Sequence, residues 1–216
     1  MATILSDDFN RANEELGASA NWTERGGDFE IVSNEVFLQD NSGGGWTVAY
    51  DSGSTYSSAD YTVACDTKLV TGGGGGYLGV VGRRVNYSTD DSDGYFASIR
   101  PSSGRVRLWS RVSGVATSIA TTDAETINYD TFYTIKLDMN GTTIKEFIDG
   151  SEILSATSSS ISAAGDGGIG LSSGSDEEYW DNFLSEDGSV AGGQPTMRRW
   201  GGSIQPIGAQ RIGRGW

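Results

Sequence analysis

The chain has 216 residues with 32 glycines and 3 prolines, a length and composition that suit one large all-β domain with many tight turns. It contains no histidine, which excludes histidine-based triads, Cys–His pairs and histidine metal sites together. The formal charge is −14 and uneven: residues 1–188 hold all 29 acids against 11 basic residues, whereas residues 189–216 hold four arginines and no acid. An acidic body disfavours nucleic acid and anionic membranes, and a basic segment of opposite sign seeks an acidic partner.

In chain order, Ile4 and Leu5 lead into Asp7, Asp8, Phe9, Asn10 and Arg11, then a loop with Leu16 and Gly17, then Trp22. Phe29, Ile31 and the run Val36 to Leu38 predict two short strands around a Ser33-Asn34 turn. Residues 61–70 alternate, with Tyr61, Val63 and Cys65 on one face, so the lone Cys65 is expected to be a buried, inert thiol. The glycine run from Gly72 to Gly76 lacks the Gly-Lys-Ser/Thr ending and following helix of a phosphate loop, and reads as a loop between strands. Further strands are predicted over 77–85, 94–100, 105–112 and 115–120, with Pro101 to Gly104 turning between two of them.

The clearest pattern lies in Tyr133 to Leu154. Tyr133, Ile135, Leu137 and Met139 alternate with polar residues, Asn140-Gly141 supplies a hairpin turn, and 142–148 is rich in β-branched residues. Asp149-Gly150 then turns the chain into Ile153 and Leu154, completing a three-stranded meander. Gly168 to Leu171 and Trp180 to Phe183 read as the last two strands. A dozen strands or more suit two packed sheets. Met1 to Asp8 shows no basic region followed by an apolar core, so no secretory signal is expected, and no apolar run approaches a membrane span.

The Asp-Phe-Asn-Arg opening, the Leu-Gly and Trp that follow, the meander, and Trp180 to Phe183 together resemble concanavalin A-like (laminin-G-like) jelly rolls of bacterial and phage surface proteins. The resemblance covers roughly residues 3–187 and implies an antiparallel two-sheet jelly-roll sandwich over residues 1–188. It also implies that the concave sheet commonly binds sugars. Relatives of this fold that hydrolyse glycosides carry acids alternating along one strand, and no such run exists here; Glu177 and Glu178, close before Asp181, read as a solvated turn.

Beyond residue 188 the composition changes. Residues 189–216 form an irregular C-terminal arm with seven glycines, two prolines, Arg198, Arg199, Arg211 and Arg214, and the large apolar Trp200 and Trp216. Such an arm resembles the basic C-termini of phage structural proteins. The resemblance implies a segment that orders on a neighbouring subunit, the arginines pairing with acids and the tryptophans filling pockets.

Three further candidates remain. Glu146 falls on the apolar face of its strand, so it needs a basic partner, a bulge that turns it outward or a wet concave surface where it would touch a ligand. Asp90, Asp91 and Asp93 are candidate calcium ligands, as are Asp7 or Asp8 with Asp181; a polar turn also accounts for the first set. Trp46, Tyr50, Tyr56, Tyr87, Tyr95 and Trp109 are the aromatics available for stacking on sugar rings.

Taken together, the expectation is a non-enzymatic virion protein, made in a host cytoplasm, that decorates a capsid or forms a fibre. It requires no cofactor beyond a candidate structural calcium. Its partners would be a capsid protein or fibre and tail subunits, in a homo-oligomer for which a trimer is the expectation, with no membrane or nucleic acid contact. The alternatives are a carbohydrate-binding module and, last, a glycoside hydrolase working through Glu146.

Overall fold

Two antiparallel sheets form a sandwich in the computed structural model, which describes residues 1–40, 46–71, 76–85, 93–172 and 178–188. The first half of the chain gives β1 (Ala2–Asp7), β2 (Glu14–Glu15), β3 (Trp22–Arg25), β4 (Asp28–Val32), β5 (Glu35–Asp40), β6 (Trp46–Asp51), β7 (Tyr61–Leu69) and β8 (Tyr77–Val85). The second half gives β9 (Asp93–Arg100), β10 (Arg105–Val112), β11 (Val115–Thr122), β12 (Tyr133–Asn140), β13 (Thr143–Ile148), β14 (Ser151–Thr157), β15 (Asp166–Ser172) and β16 (Glu178–Asp187). A nine-stranded sheet runs β14-β13-β12-β7-β16-β5-β4-β2, with β1 also paired to β16, and a seven-stranded sheet runs β11-β10-β9-β8-β15-β6-β3.

The meander forms as its alternation predicts, but its first turn is offset by one residue. Asn140 pairs with Thr143, so Gly141 and Thr142 are the loop residues, and Gly141 carries the positive φ of 55°. Glycine at the first loop position is what a type II′ turn requires. At the second turn Ile148 pairs with Ser151, and Asp149 (φ 49°) and Gly150 (φ 83°) supply the two left-handed residues of a type I′ turn.

The sheets meet through their inner faces. Tyr61, Val63, Cys65, Ile135, Leu137, Met139 and Ile144 on one side pack with Val80, Ala97, Ile99, Val106, Leu108 and Ile169 on the other. Each such side chain is worth about 1.5–3 kcal/mol when taken fully out of water. Cys65 is fully buried, its thiol donating to the Asp181 carbonyl at 3.0 Å and held well above its usual pKa by burial. On β16, Tyr179 and Trp180 pair with β5, whereas Phe183 to Asp187 pair with β1; the change of partner coincides with a bulge at Asn182, φ 53°. Among the described residues no helix is long and apolar enough to cross a membrane. The arm expected over residues 189–216 lies outside the described residues.

Candidate functional site

Strands β6, β8, β9 and β10 alternate, so half of their side chains leave the core for the outer face of the seven-stranded sheet. Val48, Val81 and Phe96 form a second apolar cluster there, separate from the sandwich core, with the partly buried Trp46 and Trp109 packed against it. The Trp46 and Phe96 rings lie 4.3 Å apart by centroid, Trp46 and Trp109 meet edge-on at 5.7 Å, and Tyr77 meets Trp109 edge-on at 5.4 Å. Edge-to-face contacts of this kind add about 0.5–1.5 kcal/mol beyond area burial.

Glycine makes that reach possible. Trp46 is on β6 and Phe96 on β9, separated in the sheet by β15 and β8, where Gly170 and Gly79 occupy the neighbouring positions. Strands about 4.8 Å apart would leave the two backbones roughly 14 Å distant, so the rings lean toward each other across residues with no side chain. A Cβ on Gly79 would collide with the Ala97 carbonyl oxygen.

Arginines surround the rings. On β10 the half-buried Arg105, Arg107 and Trp109 alternate with the buried Val106 and Leu108, and Arg111, next on the outer face, is itself buried. Arg107 lies 4.8 Å from the Trp109 ring and 5.1 Å from that of Tyr77, and Arg100 lies 5.5 Å from Tyr77. Arg84, fully buried, stacks 3.7 Å from the Tyr50 ring. Arg105 forks onto Asp123, which raises the arginine's pKa and lowers that of the aspartate.

Ser98 joins this face to the core. Its hydroxyl accepts from the Trp109 indole N–H at 3.1 Å and donates to the Arg107 carbonyl at 3.1 Å, which fixes the plane of the Trp109 ring. Behind it, the Ser98 main-chain N–H faces Glu146. Glu146 lies between Leu137 and Leu154 on the inner face of the nine-stranded sheet and is fully buried. Its carboxyl oxygens meet no donor at hydrogen-bond geometry among the described residues. Burial therefore pushes its pKa well above the usual carboxylate range, with the Ser98 N–H opposing only in part. The β13–β14 register does shift beside Glu146, yet the side chain stays inside. Glu146, expected from sequence as a ligand contact, therefore sits in the core between the sheets and not on a ligand-facing surface.

The chain's fold matches known jelly rolls. It superposes on the carbohydrate-binding module CBM66 from Bacillus subtilis with a TM-score of 0.62 and 21% identity, over 77% of this chain and 96% of that one. A Bacillus subtilis protein of unknown function with a galectin-like fold gives 0.63 at 12% identity, covering 86% and 96%. The beta-glucanase of Bacillus licheniformis gives 0.55 at 14%, covering 86% and 97%. The sequence matches no protein-family model and no curated protein. At these identities the likeness establishes a galectin-like, concanavalin A-like jelly roll, and that alone.

The other residues singled out from sequence fall as follows. Tyr56 and Tyr95 are core residues, Trp46, Tyr50 and Trp109 occupy the outer face just described, and Tyr87 lies outside the described residues. Asp90 and Asp91 also lie outside them, while Asp93 accepts the Ser113 main-chain N–H at the start of β9. Asp7 is engaged by Arg11, the Trp22 indole and the Phe9 N–H. Asp181 sits opposite Asp66 in the β7–β16 ladder, and its pKa is pushed up to about 6 by burial and by Asp66, Glu35 and Asp8. Glu177 lies outside the described residues, and Glu178 is buried in β16 where a solvated position was expected. Arg198, Arg199, Trp200, Arg211, Arg214 and Trp216 lie outside the described residues.

A trio that the sequence reading missed, Glu15, Glu24 and Asp28, brings carboxylates close together. Glu24 already accepts the Gly17 and Phe29 main-chain N–H groups, and the neighbouring Asp28 raises the pKa of Glu15. Tyr77, Phe96, Arg100 and Arg107 were also missed. The signal for them was the Arg-x-Arg-x-Trp-x-Arg alternation of β10 against buried Val106 and Leu108.

Proposed function

We propose that the protein is a non-catalytic carbohydrate-binding module that takes a glycan on the outer face of the seven-stranded sheet. The observation that carries this reading is the pair of partly exposed rings Trp46 and Trp109, held on that face by Phe96, Ser98, the buried Tyr77 and the glycine floor. Flat, rigid rings with little conformational entropy to lose suit the apolar faces of sugars. The fold neighbours include both a carbohydrate-binding module and a beta-glucanase, so fold does not choose between binding and hydrolysis. The acids do. Glycoside hydrolysis uses two carboxyl groups about 5–9.5 Å apart across one bond. Among the described residues no strand of the seven-stranded sheet carries more than one acid, and Glu146 faces the core.

A glycan array probed with the full chain, together with a reducing-end assay on the glycans it retains, tests this reading. Binding without turnover is expected, and Trp109→Ala should weaken it about tenfold or more, the scale of losing an aromatic anchor. Release of reducing ends, or binding unchanged in both Trp109→Ala and Trp46→Ala, would sink it. A virion decoration or fibre role, the first expectation from sequence, rests on the arm at 189–216, and the neighbours named above include no virion protein. The glycan-binding face therefore takes precedence over it.

A further inference from the structure

The two sheets divide the charge of the chain. The strands of the seven-stranded sheet carry seven arginines, no lysine and four acids; those of the nine-stranded sheet carry three lysines and fifteen acids. Arg83 is turned into the interior, bonded to the Ala59, Ile161 and Gly141 carbonyls, whereas Arg100, Arg105 and Arg107 give a chain of formal charge −14 a basic cluster beside the aromatic platform. We infer that the ligand is an anionic saccharide, its ring on Trp46 and Trp109 and its carboxylate or sulfate group held by Arg100 and Arg107. The inference rests on the glycan-binding reading and names its substrate class.

Three features support it. First, Arg100 and Arg105 are direct cross-strand partners on the same face, an arrangement in which like charges repel. Asp123 forks onto Arg105, and its pKa also feels Arg107, but neither Arg100 nor Arg107 has a carboxylate ion pair among the described residues. An incoming anion would relieve that repulsion. Second, the guanidinium groups lie against the rings of Tyr77 and Trp109, which holds two otherwise flexible side chains beside the stacking surface. The entropy of ordering them is therefore already spent before a ligand arrives. Third, the basic residues here are all arginines. Their planar fork matches the paired oxygens of carboxylate and sulfate, which an ammonium meets only as a point charge. A ring and an anion side by side describe a uronate or a sulfated sugar better than a bare phosphate chain, which would leave the tryptophans unused.

The test is calorimetric titration of the full chain with two matched pairs: polygalacturonate against its methyl ester, and dextran sulfate against dextran. At least one acidic polymer should bind, about tenfold or more tighter than its neutral counterpart, and which one binds separates carboxylate from sulfate. Arg100→Gln and Arg107→Gln should each weaken it about tenfold, the scale of one charge-assisted contact, with the melting temperature held. Arg107→Lys, which keeps charge but loses the fork, should fall between. Raising NaCl from 0.1 to 1 M, which shortens the screening length from about 10 to about 3 Å, should weaken it further.

Equal binding of charged and neutral partners, or full binding by the double Gln variant, overturns the charge inference and leaves the glycan reading standing. The same holds if the chain binds neutral glycans on the array and neither acidic polymer. Binding to no glycan of any kind overturns both. Polyphosphate or an oligonucleotide bound as tightly as the acidic polymer, and equally by Trp109→Ala, shows a charge effect without a sugar platform and also overturns it.

Discussion

Replacing Glu146 with Gln removes a buried titrating group while keeping its shape, and the consequence can be worked from the structure. Glu146 is fully buried among Leu137, Leu154 and the Ser98 peptide, so burial raises its proton affinity in the fold. In the unfolded chain the same carboxyl ionises near pH 4.3. Below that pH both states hold the proton and the group adds no pH dependence. Above it the unfolded state releases a proton that the folded state keeps. Stability then falls by about 1.4 kcal/mol for each pH unit until the folded carboxyl ionises as well. Full burial leaves no solvent screening to discount this slope.

Urea unfolding of both proteins at half-unit steps from pH 4 to pH 7.5 measures it, because the other titrating groups cancel in the difference. The Gln variant should gain on the parent by about 1.4 kcal/mol per pH unit once the pH passes about 5. Glu146→Leu should be more stable than Glu146→Gln throughout, since it leaves no unpaired polar group inside, a penalty of about 1–3 kcal/mol. A difference between parent and Gln variant that stays constant across the range would refute the argument. It would mean that the carboxyl titrates as though in water, and hence that the sandwich is open beside Ser98.

Asp181 carries the same sign of effect at the surface: its pKa of about 6 means that stability drains as pH rises from about 4 to 6, and Asp181→Asn should raise the melting temperature at pH 7 but not at pH 4. The gain will fall short of what a two-unit shift gives in the interior, because the carboxyl is half-exposed; an NMR titration midpoint near 4 would contradict the assignment. Gly79→Ala drives a methyl group against the Ala97 carbonyl and should cost about 1–3 kcal/mol by overpacking, read as a melting point lower by about 2–4 °C per kcal/mol. An unchanged melting temperature would show that β8 and β9 do not approach so closely.

How much of this was legible in the sequence depends on how local the signal is. The meander was readable because alternation and turn residues act within a few positions, and only the one-residue offset at Gly141 escaped. The sheet order was not readable, since β7 pairs with β12 and β16, whose sequence distance leaves no trace in either strand. Glu146 is an instructive middle case. Period-2 reading placed it correctly on the apolar face, but its raised pKa depends on Ser98 and on the opposite sheet, which sequence does not bring near it. The aromatics divide for the same reason: Tyr56 and Tyr95 enter the core, whereas Trp46 and Trp109 leave it, and residue type says nothing of the difference.

The outer face was hidden for a further physical reason: it is made by four strands that cooperate through residues without side chains. Trp46 alone reads as one more exposed or buried ring, and Gly170 and Gly79 read as strand weaknesses. Only their order in the sheet, β6-β15-β8-β9, turns two glycines into the floor across which Trp46 meets Phe96. The arginines follow the same logic. Arg100 and Arg105 lie on either side of a short turn and look like solvated charges, yet pairing in register sets them opposite each other beside Tyr77. A folded protein that keeps such like charges together, in a chain otherwise acidic, holds an electrostatic cost that no partner within the described residues removes from Arg100. That cost is what an anionic ligand on this face would relieve.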